Sequence, residues 1–138
     1  LGVKLKHLDR WNDLRRAHAR RYTTLLGDAA RRGRLVLPSE MPYARHVYHL
    51  YVVQTDRRDE LQKRLSEAGV QTGIHYPVPV HLQPAYSLLG YTRGDFPEAE
   101  RQAARVLSLP MYPELTDEQI EHVAAVVSGQ WPVVRDSR

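Results

Sequence analysis

The stretch HVYHLYVVQTDRRDELQKRLSEAGVQTGIH, residues 46–75, decides how this chain folds. Its first nine residues, 46–54, are rich in β-branched and aromatic side chains, a composition that reads as a strand. Asp56 then predicts a helix N-cap over 57–68. Asp59 falls in the first turn, where a carboxylate meets the positive end of the helix. Gly69 ends that helix, and VQTGIH (70–75) reads as a second strand.

Working outward, residues 3–26 carry Leu5, Leu8, Trp11, His18, Tyr22 and Leu25 at three- and four-residue steps, with Leu14 and Arg15 straddling the gap. This predicts one helix roughly 36 Å long, with Gly27 as its stop. Such a helix overhangs the core of a small domain unless something else packs against it. RLVLP (34–38) reads as a short strand ended by Pro38. On the other side, HLQPAYSLLG (81–90) predicts a helical turn closed by Gly90. Asp95 with Glu98 three residues on has the arrangement of a capping box before a helix over 97–106. LSLP (107–110) is a short strand. Thr116 and Gln119 form a second capping box, opening a last helix whose apolar face is Ile120, Val123, Ala124 and Val127. SGQWPVVRDSR (128–138) reads as a tail. There is no internal repeat and no low-complexity linker. The fold expected is α+β: a small, mostly antiparallel sheet covered by helices on one face, preceded by a long N-terminal helix.

The chain has 138 residues, the size of one domain. No run approaches the roughly 18 apolar residues of a membrane span, and residues 1–20 hold no secretory signal. With no cysteine, disulfide frameworks and thiolate metal sites are excluded. A cytoplasmic setting, without a membrane partner, is the default. The net charge of +4 comes largely from arginine. Arg15, Arg16, Arg20 and Arg21, with Arg31, Arg32 and Arg34 beyond, could form a nucleic-acid footprint. They interleave with apolar residues of a helix and lack a groove-reading motif, so a solvated face is expected and no nucleic-acid partner. The first residue is leucine and leads straight into a helical pattern, as expected of a chain that begins mid-protein; a processed N-terminus gives the same appearance.

Chemistry-bearing residues concentrate in GIHYPVPVHLQPAY, residues 73–86. Prolines this dense forbid a long helix or a central strand, so His75, Tyr76, His81 and Tyr86 are held in fixed directions. A metal site is not indicated. His46 and His49, three apart in a strand, point to opposite faces, and His75 with His81 lacks a third ligand. Neither a nucleophile elbow nor a phosphate-binding glycine loop occurs. Paired carboxylates such as Asp9 and Asp13, or Glu98 and Glu100, fall on predicted helix surfaces near arginines and read as solvated or helix-pairing. What remains is a pocket wall for a polar ring such as a sugar, a nucleotide or an aromatic cofactor, or side chains packed beneath the loop; the residues alone leave both open.

The segment TGIHYPVPVHLQPAYSLLGYTRGDFPEAERQAARVLSLPMYPELTDEQIEHV (72–123) resembles the C-terminal part of the DegT/DnrJ/StrS family, pyridoxal-phosphate sugar aminotransferases of the aspartate aminotransferase fold. GIHYPVPVHLQPAY, GDFPEAE and LSLPMYPELT look like family markers. VKLKHLDRWNDLRRAHARRY (3–22) looks like the long helix that opens the family's small domain, and HVYHLYVVQTDRRDELQKRL like its next strand and helix. The likeness covers about residues 3–127. It implies that residues 1–138 are a C-terminal small domain, with the large cofactor-binding domain absent. Pyridoxal 5'-phosphate would then be held by a lysine of that large domain. Lys4, Lys6 and Lys63, the chain's only lysines, match no such context, so the chain alone is expected to be inactive. The implied reaction passes an amino group from glutamate to a keto group on a sugar nucleotide, in a homodimer. By the same match His75 is a substrate-side hydrogen bonder, joined by Tyr76 and His81. His49, at a matching family strand position, joins these substrate-binding candidates, with packing between sheet and helix as the alternative, and Tyr86 and Tyr112 are structural. A non-catalytic binding or regulatory module that keeps this fold is the alternative.

Overall fold

The computed structural model describes residues 1–129, and the tail read from Ser128 onward lies, from residue 130, outside them. The elements in chain order are α1 (Gly2–Leu5), α2 (Leu8–Arg31), β1 (Tyr51–Gln54), α3 (Arg58–Glu67), α4 (Pro97–Arg105), β2 (Val106–Leu109) and α5 (Asp117–Ser128). Two 3-10 turns, Val80–Leu82 and Pro84–Leu89, lie between α3 and α4.

The long helix differs from its expected bounds at both ends. It breaks near His7, leaving α1 as a separate turn with no buried residue. It also runs through Gly27. An interior glycine costs about 1 kcal/mol against alanine. Here Leu26 and Ala29 are both buried in the core, and their burial keeps the chain winding. The stop comes at Gly33, whose φ of +69° lies in the left-handed region. There the Gly33 N–H donates to the Ala30 carbonyl (2.9 Å) and the Arg34 N–H to that of Ala29 (3.1 Å), the paired bonds of a Schellman terminus.

β1 and β2 pair antiparallel, with Tyr51 opposite Leu109 and Val53 opposite Leu107. These four side chains share one face and are at most 2% exposed. Two single bridges extend the sheet: Val36 to Gln54 and Gly73 to Ser108, both antiparallel. The expected strands at 34–38 and 70–75 thus contract to one residue each, ahead of Pro38 and Pro77, which have no N–H to donate. The strand expected over 46–54 forms only from Tyr51. Before it, Tyr48 adopts a φ of +48°, and its N–H donates to His46 Nδ1 (2.8 Å), folding the segment on itself.

Helix α2 packs on α5, α3 on α5 and β2, and α4 on β1. Tyr22, Leu26, Leu65, Ile120 and Val126 join the inner face of the sheet in one buried cluster. Its polar tips are satisfied. The Tyr22 hydroxyl donates to the Pro110 carbonyl (3.2 Å), and the Tyr51 hydroxyl shares a hydrogen with Thr23 Oγ1 (2.9 Å). Burial pushes the Tyr51 phenol up to about 12, so both groups stay neutral across the physiological range. The resulting α+β unit is the class expected from the sequence.

Of the three caps read from the sequence, one forms. Thr116 Oγ1 accepts from the Gln119 N–H (3.3 Å), and Gln119 Oε1 accepts from the Thr116 N–H (3.0 Å). Asp56 does not cap α3: Arg57 occupies that position, and Asp56 pairs instead with Arg105 Nε at 3.0 Å. Asp95 does not cap α4 either: Phe96 is the cap residue, and Asp95 Oδ2 accepts the Thr92 N–H (2.7 Å) within its own turn.

Candidate functional site

The candidate site is built on the outer face of the sheet. Strand alternation turns Ser108 away from the core face occupied by Leu107 and Leu109, and Ser108 is nevertheless only 4% exposed. Gly73 pairs with it through two backbone bonds: Gly73 N–H to the Ser108 carbonyl (3.1 Å), and Ser108 N–H to that of Gly73 (2.8 Å). Two residues on, His75 lays its ring back over this pair. His75 Nδ1 and Ser108 Oγ share a hydrogen bond of 2.9 Å. Tyr76, across a cis peptide bond, is 73% exposed and meets the imidazole edge-on, with ring centroids 5.6 Å apart.

His81 is placed differently. Its Nε2 is 3.0 Å from Glu100 Oε1 on α4, its ring packs 4.8 Å from that of Phe96, and its side chain is only 7% exposed. Glu100 also accepts the Gly94 N–H (2.7 Å). That backbone donor, with His81 adding to it, holds the Glu100 carboxyl below its usual range. One carboxylate therefore fastens both His81 of the proline-rich stretch and the turn at Gly94 to α4. His75 is anchored on β2 and His81 on α4.

His49 lies exposed in a bend ahead of β1 rather than in a strand. Its neighbour His46 belongs to a clamp on α2. Arg16 Nη1 donates to Glu40 Oε1 (2.6 Å) and to the His46 carbonyl (2.6 Å). Glu40 Oε1 also accepts the His46 N–H (2.7 Å). Arg16 holds the Glu40 carboxyl below its usual range, assisted by that N–H. Tyr86 and Tyr112 are each partly exposed.

A cavity of about 530 Å³ opens elsewhere, among the end of α2, the start of α3 and the end of α5, with Arg34, Thr55, Arg57 and Arg64 in its wall. None of His49, His75, Tyr76 or His81 lines it. Among the described residues no group of three or more His, Asp or Glu could hold a metal ion, and no helix is long and apolar enough to cross a membrane.

The donor set does not fit a Schiff-base cofactor. Lys4, Lys6 and Lys63 are exposed, and Lys63 stands 3.9 Å from Glu67 across one turn of α3. Among the described residues, no lysine lines the cavity or contacts His75.

Ser108 was not singled out by sequence reasoning, and Glu100, read with Glu98 as a solvated or helix-pairing surface carboxylate, instead turns to His81 and the Gly94 N–H. Ser108 has a weak signal, as a lone polar residue inside the apolar run of LSLP. The Arg16–Glu40–His46 clamp has none, because its members are 24 and 30 residues apart.

The sequence model of the DegT/DnrJ/EryC1/StrS aminotransferase family matches residues 1–128. A "Pleiotropic regulatory protein" of Geobacillus stearothermophilus is 48% identical over 93% of this chain and 34% of its own length. The dTDP-3-amino-3,4,6-trideoxy-alpha-D-glucose transaminase of Streptomyces venezuelae is 43% identical over 92% of this chain and 33% of its own. Among solved structures, S. venezuelae DesV in complex with a ketimine intermediate superposes with a TM-score of 0.87 at 42% identity, covering 92% of this chain and 33% of that one. The chain spans about a third of the length of the curated relatives it matches.

Proposed function

The chain belongs to the DegT/DnrJ/EryC1/StrS aminotransferase family, and from that premise we propose that residues 1–138 are the C-terminal portion of a sugar-nucleotide aminotransferase. Its reaction moves an amino group from a donor such as glutamate to a keto group on a nucleotide-linked sugar. The cofactor, pyridoxal 5'-phosphate, is bound outside these residues, since none of their lysines is placed to hold it. The working enzyme is a homodimer, and its setting is the cytoplasm.

The part played here is substrate positioning. The observation that carries it is the state of His75: one ring nitrogen is fixed to a buried serine, while the other has no partner among the described residues. An imidazole held that way presents a hydrogen-bonding group at low entropic cost. Tyr76 flanks it with an exposed ring that can pack on a sugar. His81 serves at one remove, holding the loop on α4 through Glu100. Among the described residues, no contact ties His49 to His75.

In the complete protein, His75→Ala is expected to lower kcat/KM for a keto sugar nucleotide about 10- to 100-fold with little change in melting temperature; unchanged efficiency overturns the assignment. The 138-residue chain supplied with pyridoxal 5'-phosphate and glutamate is expected to give no turnover.

The name of the Geobacillus relative favours a second reading, a regulatory module that keeps the fold without the chemistry. The coding sequence upstream of the Leu1 codon separates the two. An in-frame domain with a lysine in a cofactor-binding context supports the enzyme, and a start codon close upstream supports the module.

A further inference from the structure

We propose that Ser108 and Gly73 together form a seat that fixes the tautomer and direction of His75, so that its Nε2 is a standing hydrogen-bond donor toward an oxygen of the substrate. This rests on the substrate-side reading of His75 given above.

The bond between His75 Nδ1 and Ser108 Oγ (2.9 Å) can run either way. If Nδ1–H donated, the Ser108 hydroxyl hydrogen would need another acceptor, and that hydroxyl has no other partner among the described residues. Ser108 is buried at 4% exposure, and a buried donor without a partner is costly. The favoured arrangement has the Ser108 hydroxyl donating to Nδ1. The imidazole proton then resides on Nε2, because in a neutral ring the bond made by one nitrogen sets the role of the other.

Gly73 makes room for this. A Cβ added there would lie 2.6 Å from His75 Cε1, with both ring nitrogens also inside van der Waals distance. The imidazole therefore rests on the space a side chain would occupy. The obstruction is a side-chain ring, not backbone, so alanine at this position would push the ring aside without unseating the strand. The bridge to Ser108 is made through backbone atoms and survives. Serine and glycine act through His75 and are positioning residues. A donor at Nε2 selects an acceptor: a sugar hydroxyl, a carbonyl or a phosphate oxygen, not an ammonium or another N–H.

The test uses the complete protein labelled with 15N at histidine, with His75 assigned by the loss of its signals in His75→Gln. At neutral to alkaline pH the wild type should show His75 as a single Nε2–H tautomer. Ser108→Ala and Gly73→Ala should move both nitrogen shifts toward exchanging tautomers and lower kcat/KM about tenfold, the size of one lost positioning bond. Ser108→Thr, which keeps the hydroxyl, should restore both readouts. A purely structural serine would change stability and leave the tautomer in place. An Nδ1–H tautomer in the wild type, or unchanged shifts in Ser108→Ala, overturns the proposal. The substrate-side reading fails separately, by undiminished turnover in His75→Ala, whatever the tautomer proves to be.

Discussion

Glu100 shows how one residue can hold a loop that its own sequence neighbourhood does not explain. It accepts from the Gly94 backbone and pairs with His81, and the Gly94 donor leads in holding its carboxyl below the usual range. Glu40 is lowered likewise by Arg16 and the His46 N–H. A carboxyl whose folded value is depressed contributes stability above its ordinary value, near 4.5, and loses it as pH falls through the lowered value. Acidification below that point should therefore loosen the 39–50 and 78–95 segments before the sheet. Amide exchange should rise there first, while Tyr51–Gln54 stays protected. Glu100→Ala should bring the same loosening of 78–95 to neutral pH and leave 39–50 unchanged; equal protection of both segments in the variant would contradict the role given to Glu100. Histidines and tyrosines between prolines stand out in the sequence as candidates. Their partners do not. Nothing local to GIHYPVPVHLQPAY says that His75 turns to a serine 33 positions away, or His81 to a glutamate 19 away.

At the scale of elements, hydrophobic periodicity located α2, a β-branched and aromatic run β1, and cap and glycine signals α3, α4 and α5, with LSLP read as the short strand that became β2, and their ends were the uncertain part. The caps show why. Thr116 and Asp95 each stand three residues ahead of a Gln or Glu, but it is Thr116 that takes the cap position of its helix, with an extended backbone and ψ of 161°. At α4 the cap position passes to Phe96. Glu98 is then one residue too early to reach back, and it pairs with Arg101 and Gln102. A one-residue shift is invisible in the letters and decisive for the hydrogen bonds. Thr116→Ala should therefore cost about 1 kcal/mol, read as a lower denaturant midpoint with unchanged slope. Asp95→Ala removes no helix cap and should spare α4, acting only on the Thr92 turn. A comparable loss of α4 helicity in Asp95→Ala would argue against that distinction. The strand read over 46–54 shrank for a different reason from those cut short by Pro38 and Pro77. The His46–Tyr48 bond and the Arg16 clamp take over a segment whose composition favours strand.

At the scale of the molecule, the apolar surface is unevenly disposed. Leu1, Val3, Leu5 and Leu8 are exposed around the break between α1 and α2, and Val80, Leu88, Leu89 and Tyr91 along the proline-rich loop, with Leu88 at 97%. Exposed apolar residues grouped this way mark contact surfaces. The isolated chain is expected to self-associate or to bind a hydrophobic dye. Leu5→Asp with Leu88→Asp should reduce the effect in sedimentation or fluorescence, and a monodisperse, dye-silent wild type would refute the expectation. The packing of α2 on α5 has a consequence in time. The first long helix ends at residue 31 and its partner starts at residue 117, so the fold is rich in distant pairings, which slow folding. During synthesis at about 5–20 residues per second, Tyr22 and Leu26 wait on the order of ten seconds for the helix that covers them. For that interval the nascent chain presents an open core, and a chaperone that recognises α2 has its opportunity then, before Thr116 closes the last cap.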